Sequence, residues 1–149
     1  MTIRNEEIAM IFLHRLLIAA ALVVGFAALA TAQDAPVLIS GATTVNARQI
    51  FDLIDKSPNI VILDNRKEED FAAGHIESAI RLIDTEVTAE TLARHIAAKD
   101  TPVLFYCNGV KCGRAAKATE KAVQFGYTKV YYYALGMDEW NKEGLPVFK

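Results

Sequence analysis

Residues 103–114 read V-L-F-Y-C-N-G-V-K-C-G-R, and this stretch decides both the fold class and where to look for chemistry. Val103-Leu104-Phe105-Tyr106 is continuously apolar, as a parallel strand covered on both faces must be. The run ends at Cys107. A loop holding Gly109, Gly113, Lys111 and Arg114 then leads into a helix predicted from about Arg114 to Phe125 and stopped by Gly126. Strand, glycine-bearing loop and helix in this order make the unit on which α/β sheets bind ligands, beyond the carboxyl ends of their strands.

The flanking sequence repeats the pattern. Ile60-Val61-Ile62-Leu63 has the same buried-strand character and ends in Asp64. Shorter strands are expected near Ala79 to Leu82 and at Val130 to Tyr133. Asn46 is a good N-cap, with Gln49 placed to close a capping box and Val45 and Ile50 placed as a hydrophobic staple, so a helix should run from about Ala47 to Lys56. Its buried stripe is Ile50, Leu53 and Ile54. Further helices are expected from about Ala89 to Ala98 and from Met137 to Glu143, the latter closed by Gly144 and Pro146. The domain is therefore α/β. Two loops, Asp64 to Ile76 and Cys107 to Arg114, should meet at one edge of its sheet.

Composition sets the limits. The 149 residues are 52% hydrophobic and 23% charged, which fits one globular domain. A net charge of -2 offers no basic surplus for a nucleic-acid backbone, so nucleic acid is not expected as a partner. Two cysteines and three histidines make no disulfide scaffold and leave few ligands for a closed zinc site. Part of the apolar excess lies in Leu16 to Ala30, an uncharged run preceded by His14-Arg15 and followed by the small-x-small triplet Ala30-Thr31-Ala32. This reads as a secretory signal peptide over residues 1–32, cleaved after Ala32, with an uncleaved anchor as the alternative and Met10 as an alternative start. A connector over 33–40 and a domain over 41–149 follow. The expected location is periplasmic or secreted, with no stable membrane association after cleavage.

Cys107, between a buried strand and a helix, meets inward-turned backbone N–H groups and the positive end of the helix dipole. Lys111 and Arg114 add charge in the same loop, so the thiolate should be favoured and an anionic substrate docked beside it. Asp64 and Arg66 read as support: Arg66 is spaced to pair with Asp70 or Glu69, and Asp64 to accept loop N–H groups near the cysteine. His75 in its Gly-His-Ile turn should satisfy backbone, and His95 should be exposed. Trp140 and the run Tyr131-Tyr132-Tyr133 are expected in the core. The Lys67-Glu68-Glu69-Asp70 charges read as the solvated face of a short helix.

These motifs resemble the rhodanese family of sulfurtransferases. V-I-L-D-N-R-K-E-E-D-F-A-A-G-H-I-E-S-A-I is similar to the family's strand and D-x-R…E-[FY]-x-x-G-H-I-x-G-A segment, V-L-F-Y-C with its basic loop and helix to the active-site strand, F-G-Y-T-K-V-Y to the turn that follows, and A-L-G-M-D-E-W-N-K-E-G-L-P-V to the closing segment. The resemblance implies a three-layer sandwich with a central, mainly parallel five-stranded sheet flanked by helices. It also implies a persulfide mechanism: Cys107 takes a sulfane sulfur from a donor such as thiosulfate and hands it to a thiol or cyanide-like acceptor, with no metal or organic cofactor. The loop of Asn108, Gly109, Val110, Lys111, Cys112, Gly113 and Arg114 is then the candidate donor cradle, with Asp64, Arg66, Asp70 and His75 supporting it.

The sequence also departs from the family. Its usual loop places arginine five positions after cysteine, and the phosphatase branch of the fold six; Arg114 is seven after Cys107. Asp70 replaces a usual Glu, Ser78 a Gly, and Leu135 the first glycine of the closing pair. Cys112 leaves alternatives open: it relieves the persulfide by a Cys107–Cys112 disulfide, carries the sulfur itself, or rests oxidised with Cys107 until a reductant arrives. Two rival functions follow. One is a non-enzymatic thiol redox or binding module with a thiol-redox partner, and the other, ranked lower, is a phosphatase; a zinc carrier ranks below both.

Overall fold

A computed structural model describes residues 33–149; the leader expected over 1–32 lies outside the described residues. Five strands form one sheet: β1 (Thr43–Thr44), β2 (Val61–Asp64), β3 (Ile80–Arg81), β4 (Val103–Tyr106) and β5 (Val130–Tyr133), in the order β1-β5-β4-β2-β3. Every pairing is parallel. Among the described residues four α-helices connect them, α1 (Ala47–Lys56), α2 (Glu68–Ala73), α3 (Ala89–His95) and α4 (Arg114–Gln124), a fifth, α5 (Gly136–Lys142), follows β5, and a 3-10 turn lies at Asp84–Glu86.

Strand periodicity sorts the core into two layers. Val103 and Phe105 of β4 pack with Leu63, Leu92, Ile96, Ala118 and Ala122 beneath α3 and α4. Leu104 and Tyr106, one residue out of phase, pack with Ile62, Ile50, Met137 and Trp140 beneath α1 and α5. Alternate residues of a strand point to opposite faces, so both faces of β4 must be covered, and its four residues are all buried. The result is the expected α/β sandwich around a five-stranded sheet.

Local signals fixed most element ends. Asn46 and Gln49 close a reciprocal capping box at 2.9 Å in each direction, and Val45 and Ile50 lie in one buried cluster. Gly126 ends α4 at φ +85°, with its N–H on Val123 O and the Tyr127 N–H on Ala122 O, the paired bonds of a Schellman turn. Gly144 ends α5 in the same way. One end differs. α3 stops at His95 rather than Ala98, because Ile96 takes an extended conformation that buries its side chain, and Ala98 and Thr101 close a turn of their own.

The register brings three strand ends level: Asp64 pairs with Tyr106, and Tyr106 with Tyr133. The segments that follow therefore leave the sheet together at its carboxyl edge. Trp140 and Tyr133 are buried, with the indole N–H on Pro146 O at 2.9 Å, and His95 is exposed.

Candidate active site

Asp64 and Arg66 form the floor beside β4. The carboxylate receives the Arg66 backbone N–H at 2.9 Å, its Nε at 3.0 Å and its Nη2 at 2.6 Å, and Nη2 also reaches Gly74 O at 2.8 Å. The expected pairing of Arg66 with Asp70 or Glu69 is therefore corrected. Arg66 is turned inward and is almost wholly buried, and a buried guanidinium takes the buried carboxylate two residues away, whereas Glu69 stays in water. Burial opposes the charge on Arg66, but the hydrogen bonds and charge of Asp64 win and raise its pKa above the ordinary value. Its guanidinium also lies 5.7 Å from the centre of the Tyr106 ring.

Asp70 is left for another partner. It accepts a hydrogen bond from Asn108 Nδ2 at 3.2 Å, tying the 64–76 loop to the cysteine loop. His75 Nδ1 lies 3.2 Å from Phe71 O and its ring stacks on Phe71, while its backbone pairs with Phe148. The imidazole serves local structure.

Cys107 follows β4 directly and is 2% exposed. Its sulfur is bonded to that of Cys112, with the Cα atoms 6.2 Å apart. The loop returns on itself through the Cys112 N–H to Gly109 O bond of 2.8 Å. Cys112 is the outer sulfur: it lines a cleft of about 360 Å³ together with Asn108, Gly109, Lys111, Gly113, Arg114, Lys117 and Asp138. Arg114 Nη1 donates to Cys112 Sγ at 3.4 Å. α4 begins without a side-chain cap, so its first-turn amides remain for a bound anion.

The remaining cradle residues are distributed less simply. Lys111 is exposed and pairs with Asp34, while the neighbouring Val110 O accepts the Ala35 N–H at 2.7 Å, so the connector lies along the loop. Arg114 Nε is 4.0 Å from Asp84 Oδ1. Asp84 is held beside it by Lys121, whose Nζ donates to the Asp84 carbonyl at 2.7 Å.

Five contributors were missed from sequence: Asp34, Asp84, Lys117, Gly136 and Asp138. Lys117 had a local signal, since it stands one helical turn after Arg114 and extends the basic end of α4. The others reach the loop from distant segments. At Gly136 the Met137 N–H donates to Cys107 O at 3.0 Å and the Asp138 N–H to Asn108 O at 2.7 Å, clamping the β5–α5 turn onto the cysteine loop.

Comparison with known proteins agrees with this arrangement. The family model for the rhodanese-like domain matches residues 47–143. The chain is 31% identical over 113 residues to the uncharacterised protein YibN of Escherichia coli, covering 75% of this chain and 76% of that one. Among solved structures it is similar to the BH2092 protein of Bacillus halodurans, with a TM-score of 0.63 and 27% identity over 72% of this chain and 77% of that one. It is also similar to the human single-domain sulfurtransferase TSTD1, with a TM-score of 0.54 and 25% identity over 68% of this chain and 97% of that one. With the matched model spanning the sheet, the cysteine loop and α5, this chain belongs to the rhodanese-like domain family.

Proposed function

We propose that the chain is a sulfurtransferase that, when reduced, carries a sulfane sulfur on Cys107 as a persulfide, taken from a small anionic donor such as thiosulfate and passed to a thiophilic acceptor. The observation that carries this reading is the placement of Cys107 at the end of the central strand, under a cleft lined by Arg114, Lys117 and the uncapped start of α4. Thiosulfate, the persulfide anion and departing sulfite all present negative charge, and fixed N–H donors and cations stabilise each of them. The likeness to a human sulfurtransferase supports the same chemistry.

The test is thiocyanate formation from thiosulfate and cyanide by pre-reduced protein. Cys112→Ser should form thiocyanate and Cys107→Ser none; product from Cys107→Ser, or none from Cys112→Ser, would sink the assignment. The Cys107–Cys112 disulfide favours a second reading, a non-enzymatic redox module. Such a module would take up no sulfur and show only reversible oxidation.

Export is part of the proposal and rests on the Leu16–Ala30 run and its Ala30-Thr31-Ala32 triplet. Terminal sequencing of the exported protein should begin at Gln33; a chain retained in membranes with its leader intact would refute cleavage.

A further inference from the structure

We infer that Cys112 is a built-in acceptor for the sulfur chemistry of Cys107, making the chain a reductase that releases the sulfane sulfur as hydrogen sulfide at the expense of a dithiol. This rests on the persulfide reading and goes beyond it, since an ordinary transfer needs no second thiol. Three observations converge. In the oxidised pair Cys107 is buried, whereas Cys112 lines the cleft, so a reductant entering the cleft meets Cys112 first. The Gly109–Cys112 turn folds the loop back, and the 6.2 Å Cα separation lies within disulfide reach. Arg114 Nη1 points at Cys112 Sγ from 3.4 Å, where it favours the thiolate once the pair is reduced.

The chemistry balances in three steps. The Cys107 thiolate attacks the outer sulfur of thiosulfate, the S–S bond of the donor breaks, and sulfite leaves with its electron pair. The Cys112 thiolate then attacks Cys107 Sγ, the inner sulfur of the persulfide; the persulfide bond breaks, the sulfane sulfur leaves with the bonding electron pair and takes one proton from water to become hydrosulfide, and the Cys107–Cys112 disulfide forms. A dithiol finally attacks the half-buried Cys112 Sγ from the cleft, Cys107 leaves as thiolate, and the dithiol's second sulfur closes its own disulfide while Cys112 is released. Two electrons pass from the dithiol to the sulfane sulfur. The oxidised pair in the structure is the product of the second step and the substrate of the third.

The experiment is a single turnover of the pre-reduced, anaerobic chain with one equivalent of thiosulfate or, separately, inorganic polysulfide, reading hydrosulfide release and intact mass. Wild type should release one hydrosulfide per chain and finish two hydrogens lighter than its reduced form, with further turnover only after dithiothreitol is added. Cys112→Ser and Cys112→Ala should instead keep one added sulfur and release hydrosulfide roughly tenfold more slowly or worse. If wild type keeps the added sulfur on Cys107 as the variants do, the reductase inference fails while the sulfurtransferase reading stands; if peptide mapping finds it on Cys112, the inference and the Cys107 assignment fail together. If neither variant gains sulfur from either donor, the persulfide reading fails and takes this inference with it.

Discussion

Gly136 lies directly against the carbonyl of Cys107: a Cβ at position 136 would stand 2.2 Å from that oxygen. The same residue holds φ +53°, a conformation open to glycine at little cost. The segment after β5 can therefore seat its N–H groups on the cysteine loop, and the shape of the active-site loop depends on a residue almost thirty positions away.

Gly136→Ala should accordingly destabilise the fold by about 1–3 kcal/mol, from left-handed backbone strain and steric conflict. Sulfur transfer should fall further than stability explains, because Cys107 must shift with its carbonyl. A denaturant midpoint equal to wild type would show that the loop relaxes without cost.

Removing Arg66 would leave Asp64 buried and unpaired. Arg66→Ala should cost about 3–5 kcal/mol in unfolding free energy, as breaking a buried ion pair does. Arg66→Lys should recover only part, since an ammonium cannot reproduce the fork of bonds to Asp64 and Gly74. Chemical denaturation measures both, and a loss under about 1 kcal/mol for the alanine variant would refute the pair's importance.

Arg114 and Lys111 should separate kinetically in the reduced enzyme. Arg114→Ala should lower kcat/KM for thiosulfate about 10- to 100-fold, the worth of one or two charge-assisted bonds. Lys111→Ala should change it about twofold or less, because Lys111 is exposed and already paired with Asp34. Steady-state kinetics in reducing buffer decide, and equal effects would mean that both cations grip the donor.

High pH should unfold the chain through its buried tyrosines. Burial, then the charge of Asp64, pushes the Tyr106 hydroxyl well above its ordinary value of 10.0, and burial with Glu139 does the same for Tyr133. A raised folded-state pKa gives stability that is complete below the unfolded value and is lost as pH climbs above it. Stability should therefore hold up to about pH 10 and decline beyond, with tyrosinate absorbance rising together with loss of secondary structure. Tyr106→Phe should flatten that decline; an unchanged alkaline profile would place the cause elsewhere.

By itself the sequence determined what is local. The Asn46–Gln49 box, the glycine stops at Gly126 and Gly144 and the apolar runs of β2 and β4 each rest on neighbours within a few residues, so their physics can be read along the chain. The order of strands beyond that alternation, and the partners chosen at the site, were decided only by tertiary structure. Asp70 is near Arg66 in sequence but bonds Asn108, because the parallel register brings the ends of β2 and β4 level while burial turns Arg66 onto Asp64. Gly136, Asp138 and Asp34 reach the cysteine loop from segments that no spacing rule connects to it. Which cysteine faces the cleft was likewise beyond the sequence, since the loop's fold, rather than its composition, buries Cys107 and leaves Cys112 at the surface of the cleft.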